Sequence, residues 1–362
     1  MPVRSMLVKL LFSCLSMITW YNKCSNMREL PSISILVMSH NQEAFIADTV
    51  NSVLSQKYDG ELEFIFCDDH STDSTFEIIQ KIVSEYEGNH RVVTHRCEIN
   101  GRVATNMNVA VSLAKCNWYM RVDGDDILHP DRVRLTALAI MKHPGATAIS
   151  GRLIPFESYY QETKNQDDNE LSFNVFSIKD FTPTREPEGL EWWGCMMTIH
   201  RSVFDVFGPL PSECNVLDDT MFATRALMLG NFVIIVNGYL LYYRRHSGNI
   251  SSSKLTENSI RGLIKSDRDS RDYHRRGIPG HKPILKEIEN FTQNNTDFDN
   301  FRKYFEYRFS ELKRQAYFWE KSWRERIADA GINGPIWRKI PWAIRVLCPF
   351  TYVFIKKIMK KS

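Results

Sequence analysis

Asp123, Asp125 and Asp126 fall within four residues, directly after the apolar run Trp118–Val122. Three carboxylates this close repel one another unless a positive charge sits among them or water screens them. Hard oxygen ligands suit Mg²⁺ or Mn²⁺, and Mg²⁺ commonly joins one or two carboxylates to the phosphates of a substrate. A second acidic group, Cys67-Asp68-Asp69-His70-Ser71-Thr72-Asp73, also follows an apolar run. Ser71, Thr72 and Asp73 are residue types of turns and helix caps. Asp68 and Asp69 have another use open to them, as acceptors of hydrogen bonds from a ribose or a base N–H. A third group, Leu217-Asp218-Asp219-Thr220, opens a helical pattern, where the helix dipole alone already favours acids. The fourth, Tyr243-Arg244-Arg245-His246-Ser247-Gly248-Asn249-Ile250-Ser251, mixes cations, hydroxyls and a flexible glycine. It reads either as an anion-binding loop or as a solvated basic turn.

These groups need elements to hold them. From residue 33 the chain alternates apolar strands with amphipathic helices. Strands are expected at Ile33–Met38, Glu61–Asp68, Arg91–Thr94 and Trp118–Asp123. Between them the pattern gives one helix with Phe45, Ile46, Val50, Val53 and Leu54 on a single face, and another over 104–115. Ser74-x-x-Glu77 has the form of a capping box, and Pro130 suits the first position of a further helix. Strand–helix alternation at this pitch means a parallel α/β sheet, in which ligands bind at the carboxyl ends of the strands. Both acidic turns are therefore expected to open onto one cleft. Residues 155–190 read as a polar loop, 217–229 as a helix, and Phe232–His246 as one or two strands. Phe298, Phe301, Phe305, Phe309, Leu312, Ala316, Trp319, Trp323 and Ile327 recur at steps of three or four, one face of a long helix packed on the main domain.

In this order the motifs resemble those of the family-2 glycosyltransferases. Ser39-His40-Asn41-Gln42-Glu43 is similar to that family's "(T/S)-x-N-x-E", and Ser52-Val53-Leu54-Ser55-Gln56 to its "S-(V/I)-L-x-Q". DDHSTD is similar to "DDGSTD", and DGDDILHPDR to "D-A-D-D-x-x-x-P-x-(R/K)". Trp193, Gly194 and the segment through Leu210 look like the acceptor side. Asp218-Asp219 with Arg225 resembles "(E/D)-D" followed six residues later by Arg, and YRRHSGNIS resembles the closing "R-x-H-x-x-x-x-S". The resemblance covers about residues 32–252. It implies a GT-A fold: a Rossmann-like, mostly parallel mixed sheet flanked by helices, here with a helical C-terminal extension.

Carried over, the resemblance gives Ser39, Asn41, Glu43, Asp69, Asp123, Arg245 and His246 to the nucleotide, with Asp69 at the base and Asp123 at the ribose. It gives Asp125 and Asp126 to a divalent Mg²⁺ or Mn²⁺, Asp219 to the general base, and Trp193, Gly194 and Asp218 to the acceptor. The implied activity is transfer of a sugar from a nucleotide-sugar donor, UDP-linked, to an acceptor hydroxyl in one inverting displacement. The implied acceptor is a glycan or lipid-linked glycan of the cell surface. Three positions depart from the pattern. His70 stands where Gly is usual, Met107-Asn108 where "R-N" is frequent, and Asp218 where Glu is common. A sugar-nucleotidyltransferase would need a Gly-rich, Arg-containing loop after the first strand, where SHNQEAF stands; a dehydrogenase would need GxGxxG after a strand. A non-catalytic carbohydrate-binding descendant would not need Asp123, Asp125 and Asp219 intact.

The organisation expected is a 1–30 extension, a 31–255 GT-A domain, a 256–334 helical region and a 335–362 tail. Residues 6–21 are apolar but too short to span a bilayer, and Met27 reads as a natural start. The eight cysteines form no CxxC pair and several lie in apolar runs, as buried free thiols do. The formal net charge of +3 argues against nucleic acid, but it hides a dipole. Residues 261–362 carry 23 Lys and Arg against 12 Asp and Glu, which leaves the remainder at −8. The tail has no acid and interleaves Trp337, Trp342, Phe350, Tyr352 and Phe354 with Lys and Arg, a composition that suits either an anionic membrane surface at its cytoplasmic face or packing on its own domain.

Overall fold

Seven-residue apolar runs with β-branched and aromatic side chains set the centre of the sheet. In a computed structural model, which describes residues 30–164, 167, 168, 170–246, 248, 249, 260–291 and 296–317, they form β1 (Ile33–Ser39) and β2 (Leu62–Asp68). Every residue of both strands is buried, as parallel strands covered on two faces require. β3 (Arg91–Arg96) and β4 (Trp118–Asp123) extend this core in the order β3-β2-β1-β4, all parallel. The register sets Ser39 beside Asp68 and Met38 beside Asp123. Both acidic turns thus leave the same edge of the sheet, on either side of the loop that follows Ser39.

Four helices cover these strands: α1 (Ile46–Leu54), α2 (Thr75–Ser84), α3 (Arg102–Leu113) and α4 (Arg132–Lys142). Two expected helix starts are corrected. The Ser74–Glu77 capping box does not form, and the Ser74 side chain makes no capping bond. Asp73 lies one residue closer to the turn and takes the role, its Oδ1 accepting from the Thr75 N–H at 3.0 Å and from the Thr75 hydroxyl at 2.5 Å. Pro130 is not the first helical residue either; α4 begins two residues later, after a turn in which His129 accepts from the amides of Asp131 and Arg132.

Beyond β4 the pairing changes. β5 (Ile127–Leu128), β6 (Ala146–Phe156), β7 (Phe173–Phe176), β8 (Thr198–His200) and β9 (Asn231–Arg244) complete a nine-stranded mixed sheet. β8 runs antiparallel to both β4 and β6, β6 and β9 are parallel, and β9 pairs antiparallel with β5 and β7. Parallel order is therefore concentrated in the first four strands. The segment expected to be a loop over 155–190 contains β7, and the region expected to be one or two strands from Phe232 is a single strand. α5 (Ser202–Phe207) and α6 (Asp218–Leu229) lie between β8 and β9.

Two helices follow, α7 (Ile260–Asn290) and α8 (Thr296–Tyr317). The chain divides into two compact units, the first reaching Arg244 and including Gly280–Phe305, the second made of Arg245–Pro279 and the residues from Glu306 on. Within the first unit, Phe181 packs edge-on against Phe301 at 4.9 Å, and Trp192 stacks on Phe305 at 6.4 Å. Arg225 of α6 makes a two-pronged bond to Glu287 at 2.8 and 2.6 Å and caps the carbonyls of Gly208 and Pro209. Within the second, Phe309 and Ala316 are buried, and the Arg275 guanidinium donates to the Ala316 carbonyl. The apolar stripe expected along the last helix is thus buried at Phe298, Phe301, Phe305, Phe309 and Ala316.

The apolar run 6–21, the tail 335–362, Trp319, Trp323 and Ile327, and Ser247, Ile250 and Ser251 of the basic loop lie outside the described residues. Cys67, Cys97, Cys116, Cys195 and Cys214 are free thiols. Among the described residues no helix is long and apolar enough to cross a membrane.

Candidate active site

The first acidic turn is a closed hydrogen-bonded structure. Asp68 is fully buried, and its oxygens accept from the Ser71 amide at 2.8 Å, the Ser71 hydroxyl at 2.5 Å and the Ser39 hydroxyl at 3.3 Å. These bonds account for Asp68 as part of the turn itself. His70 occupies the glycine position of the family pattern and keeps the left-handed backbone, at φ +58°. Histidine tolerates that region better than most residues, and its Nδ1 lies 3.1 Å from the Cys97 carbonyl. The turn is also stitched to the loop after β1. Asn41 Oδ1 accepts from the Thr72 amide, the Asn41 amide donates to Ser71 Oγ, and Gln42 N–H donates to Thr75 Oγ1. Glu43 Oε2 accepts from the Ser74 amide at 3.0 Å while its own amide donates to Asp73 Oδ2 at 3.1 Å. Asn41 and Glu43 therefore shape the two loops. Asp69 stands apart: it is buried, its Oδ1 accepts from the Gly101 amide at 2.8 Å, and its carbonyl faces His40 Nδ1 at 2.9 Å.

The second acidic turn is held from behind and left incomplete in front. Gly124 packs closely against the loop after β1: a Cβ there would come within 2.4 Å of Gln42 Oε1 and 3.0 Å of the Ser39 Cβ, so the Gln42 side chain would have to shift. The Thr49 hydroxyl anchors the turn through the carbonyls of Gly124 and Asp126. Asp126 is fully buried; Oδ1 accepts from the Arg244 amide at 3.0 Å, and Oδ2 has no hydrogen-bond partner among the described residues. Burial, reinforced by Asp125 and Asp123, pushes the Asp126 carboxyl well above the ordinary range. Burial and the neighbouring Asp125 and Asp218 likewise raise Asp123, against the pull of Arg121. A carboxylate oxygen deprived of both water and donors in a cluster of its own charge is suited to a cation. Donor atoms of Asp123, Asp126 and Cys195 lie within 4.8 Å of one another. Asp125 lies outside that group, with its carbonyl accepting from Arg244 Nε at 3.0 Å. Two hard oxygens fit Mg²⁺ or Mn²⁺. The Cys195 thiol is held neutral by burial, so it is the weakest member of the set.

Three arginines surround this turn; the sequence points to Arg244 only as part of the basic group Tyr243–Ser251, and gives Arg121 and Arg132 no role. Arg132, the last residue of DGDDILHPDR, is fully buried on α4 and donates to the carbonyls of Arg121 and Cys195 at 2.7 and 2.9 Å. Burial pulls it down to about 10, which still leaves it charged at neutral pH. Arg244 ends β9, reaches Asp48 at 2.7 Å and lies over the rings of Phe45 and Phe156. Arg121 donates from Nε and Nη2 to Asp123 Oδ1 at 3.1 and 3.0 Å, and from Nη1 to Asp218 Oδ2. The period-2 alternation of β4 puts Arg121 and Asp123 on one face, a signal available in the sequence. Of the basic group that ends the expected domain, Arg244 bonds to this turn within the first unit. Arg245 and His246 belong to the second unit, where the Asn249 side chain accepts from the His246 amide at 2.6 Å in a local turn.

Arg121 ties the acidic turn to the start of α6. Asp218 is buried there, and Asp219 is the next residue, its Oδ1 accepting from the Thr220 amide at 2.6 Å. Trp193 is half exposed, with its indole N–H directed to Glu191, and Gly194 lies against the Arg121 guanidinium. Asn108 exchanges two bonds with the backbone of Leu210, which joins α3 to the acceptor-side segment.

Residues 34–207 match the profile of Glycosyl transferase family 2. The chain is 36% identical over 118 residues to a chondroitin synthase of Pasteurella multocida, covering 33% of this chain and 12% of that protein. It is 24% identical over 234 residues to the poly(ribitol-phosphate) beta-N-acetylglucosaminyltransferase TarS of Staphylococcus aureus, covering 61% of this chain and 37% of TarS. The chain spans less than half the length of each of these relatives. Its fold resembles the crystal structure of TarS residues 1–349 in complex with UDP, with a TM-score of 0.55 at 16% identity over 88% of this chain and 81% of that one.

Proposed function

Since residues 34–207 make this chain a member of glycosyl transferase family 2, we propose that it moves a sugar from a UDP-linked donor to an acceptor hydroxyl, with inversion and with a divalent cation. The observation that carries this reading is the buried, unpartnered Oδ2 of Asp126 in a cluster with Asp123 and Asp125, at the sheet edge that also carries Asp69. Asp69 takes the base, with Oδ1 steadied by Gly101 and Oδ2 turned to a base N–H. Asp123, one-third exposed, meets the ribose. Asp126, with Asp125 and Asp123 beside it, holds Mg²⁺ or Mn²⁺, which when bound supplies neutralisation of the departing diphosphate.

On the acceptor side, Asp219 sits in the first turn of α6, where the Thr220 amide and hydroxyl fix its Oδ1. It accepts the proton of the acceptor hydroxyl as the new C–O bond forms, which requires no covalent nucleophile on the protein. The half-exposed Trp193 offers a flat apolar face of the kind on which a sugar ring stacks, and Gly194 beside it leaves room for the Arg121 guanidinium. The acceptor in this reading is a glycan or lipid-linked glycan. The acid-free aromatic segment 335–362 extends the proposal to an anionic membrane surface.

The test is a panel of UDP- and GDP-sugars scored by thermal shift with and without Mn²⁺, followed by release of nucleoside diphosphate in the presence of candidate acceptors. A UDP-sugar should raise Tm only with the metal and should be turned over. Metal-independent binding of a different nucleotide, or no release of diphosphate from any donor, would overturn the reading.

A further inference from the structure

We infer that Arg121 is a positioning residue that couples the donor side of the site to the general base, and this rests on the transferase reading above. One guanidinium spans two carboxylates, one two residues and the other 97 residues away in sequence: two of its nitrogens hold Asp123 and the third holds Asp218. The Arg121 and Asp218 side chains are 8% and 10% exposed, so the pair is shielded from competing water and salt. Asp218 is the first residue of α6 and Asp219 the second, so fixing the Asp218 carboxylate fixes the helix start that carries the base.

The surroundings are built for this side chain. A Cβ at Gly194 would stand 2.7 Å from Arg121 Nη1 and 3.1 Å from Cζ, so glycine there is the space that the guanidinium fills. The Arg121 backbone is locked on both sides, its amide donating to the Met197 carbonyl and its carbonyl accepting from Arg132. Planar geometry is the property that matters. A lysine ammonium can follow Asp123 two residues along the strand, but as a point charge it does not hold both carboxylates in a fixed relation.

The test uses the full chain with the donor and acceptor selected by the panel, and UDP with Mn²⁺ as the binding probe. In R121K and in D218N, UDP affinity by calorimetry should stay within about threefold of wild type, while kcat for transfer falls by about 30-fold. The ratio of donor hydrolysis to transfer should rise about tenfold, because a displaced base serves water and acceptor less unequally. The double variant R121K/D218N should lose no more than the worse single variant. G194A, which presses on the same guanidinium, should move the ratio in the same direction by a smaller factor. An unchanged kcat and ratio in R121K, equal losses of hydrolysis and transfer, or additive losses in the double variant would each overturn the coupling role. Wild-type protein that neither binds UDP nor turns over any donor would instead defeat the transferase reading itself.

Discussion

The two acidic turns at the sheet edge carry the same residue type and opposite bonding. In the turn after β2, Asp68 has Ser39 and Ser71 on its oxygens, and Asp73 has Thr75 and the Glu43 amide. That turn is complete as it folds. In the turn after β4, Asp126 keeps an oxygen that is buried and unpartnered, and Asp123 depends on a shared arginine. That turn is completed only by something brought to it. The contrast teaches that a cluster of carboxylates says little about function until its donors are counted, since a satisfied acid is scaffold and an unsatisfied buried one is a binding demand.

The largest effect that sharpens this contrast lies on the acceptor side. Asp219→Asn should lower transfer by about 10³-fold while UDP binding with Mn²⁺ stays within a few-fold, measured by turnover and calorimetry on the same preparation. Next, Asp126→Ala should abolish the Mn²⁺-dependent rise in Tm and lower the metal-free Tm less than Asp68→Ala does, since Asp126 accepts one bond, from the Arg244 amide, and leaves its other oxygen unpartnered. Asp68→Ala should do the reverse. Its metal-free stability should fall by about 2 kcal/mol in urea denaturation, because Ser71 and Ser39 lose a buried acceptor. If Asp68→Ala were silent and Asp126→Ala strongly destabilising without metal, the two turns would have exchanged roles.

The smallest effect is on pH. Burial opposes it, yet bonds from the Thr75 hydroxyl and the Glu43 and Thr75 amides hold the Asp73 carboxyl below its usual range. A depressed carboxyl contributes stability that is fully present above the unfolded value of about 3.9 and is lost as pH falls through the folded one. Asp73→Asn should therefore flatten the fall in stability below about pH 4 and leave the curve above pH 5 parallel to wild type.

Much of the first turn's architecture and little of the second's was legible in the residues. The four parallel strands announced themselves as apolar runs, and the carboxylates at their ends are conspicuous by type. β8, three residues long and held between β4 and β6, has no local signature; it exists because two distant strands leave room for it. The arginines escaped for a related reason. Arg121 meets Asp218 across 97 residues and the Arg244 side chain meets the Asp125 carbonyl across 119, and no spacing rule reaches that far. Asp68 and Asp69 are adjacent and look alike, yet only the fold separates the one consumed by its turn from the one steadied by a single amide.

The most direct measurement is calorimetric titration of UDP into wild-type protein and Asp126→Ala, each with and without Mn²⁺. Binding should require Mn²⁺ in the wild type and disappear in Asp126→Ala. UDP binding that is indifferent to the metal and survives in Asp126→Ala would contradict the claim that the second turn is the donor's metal site.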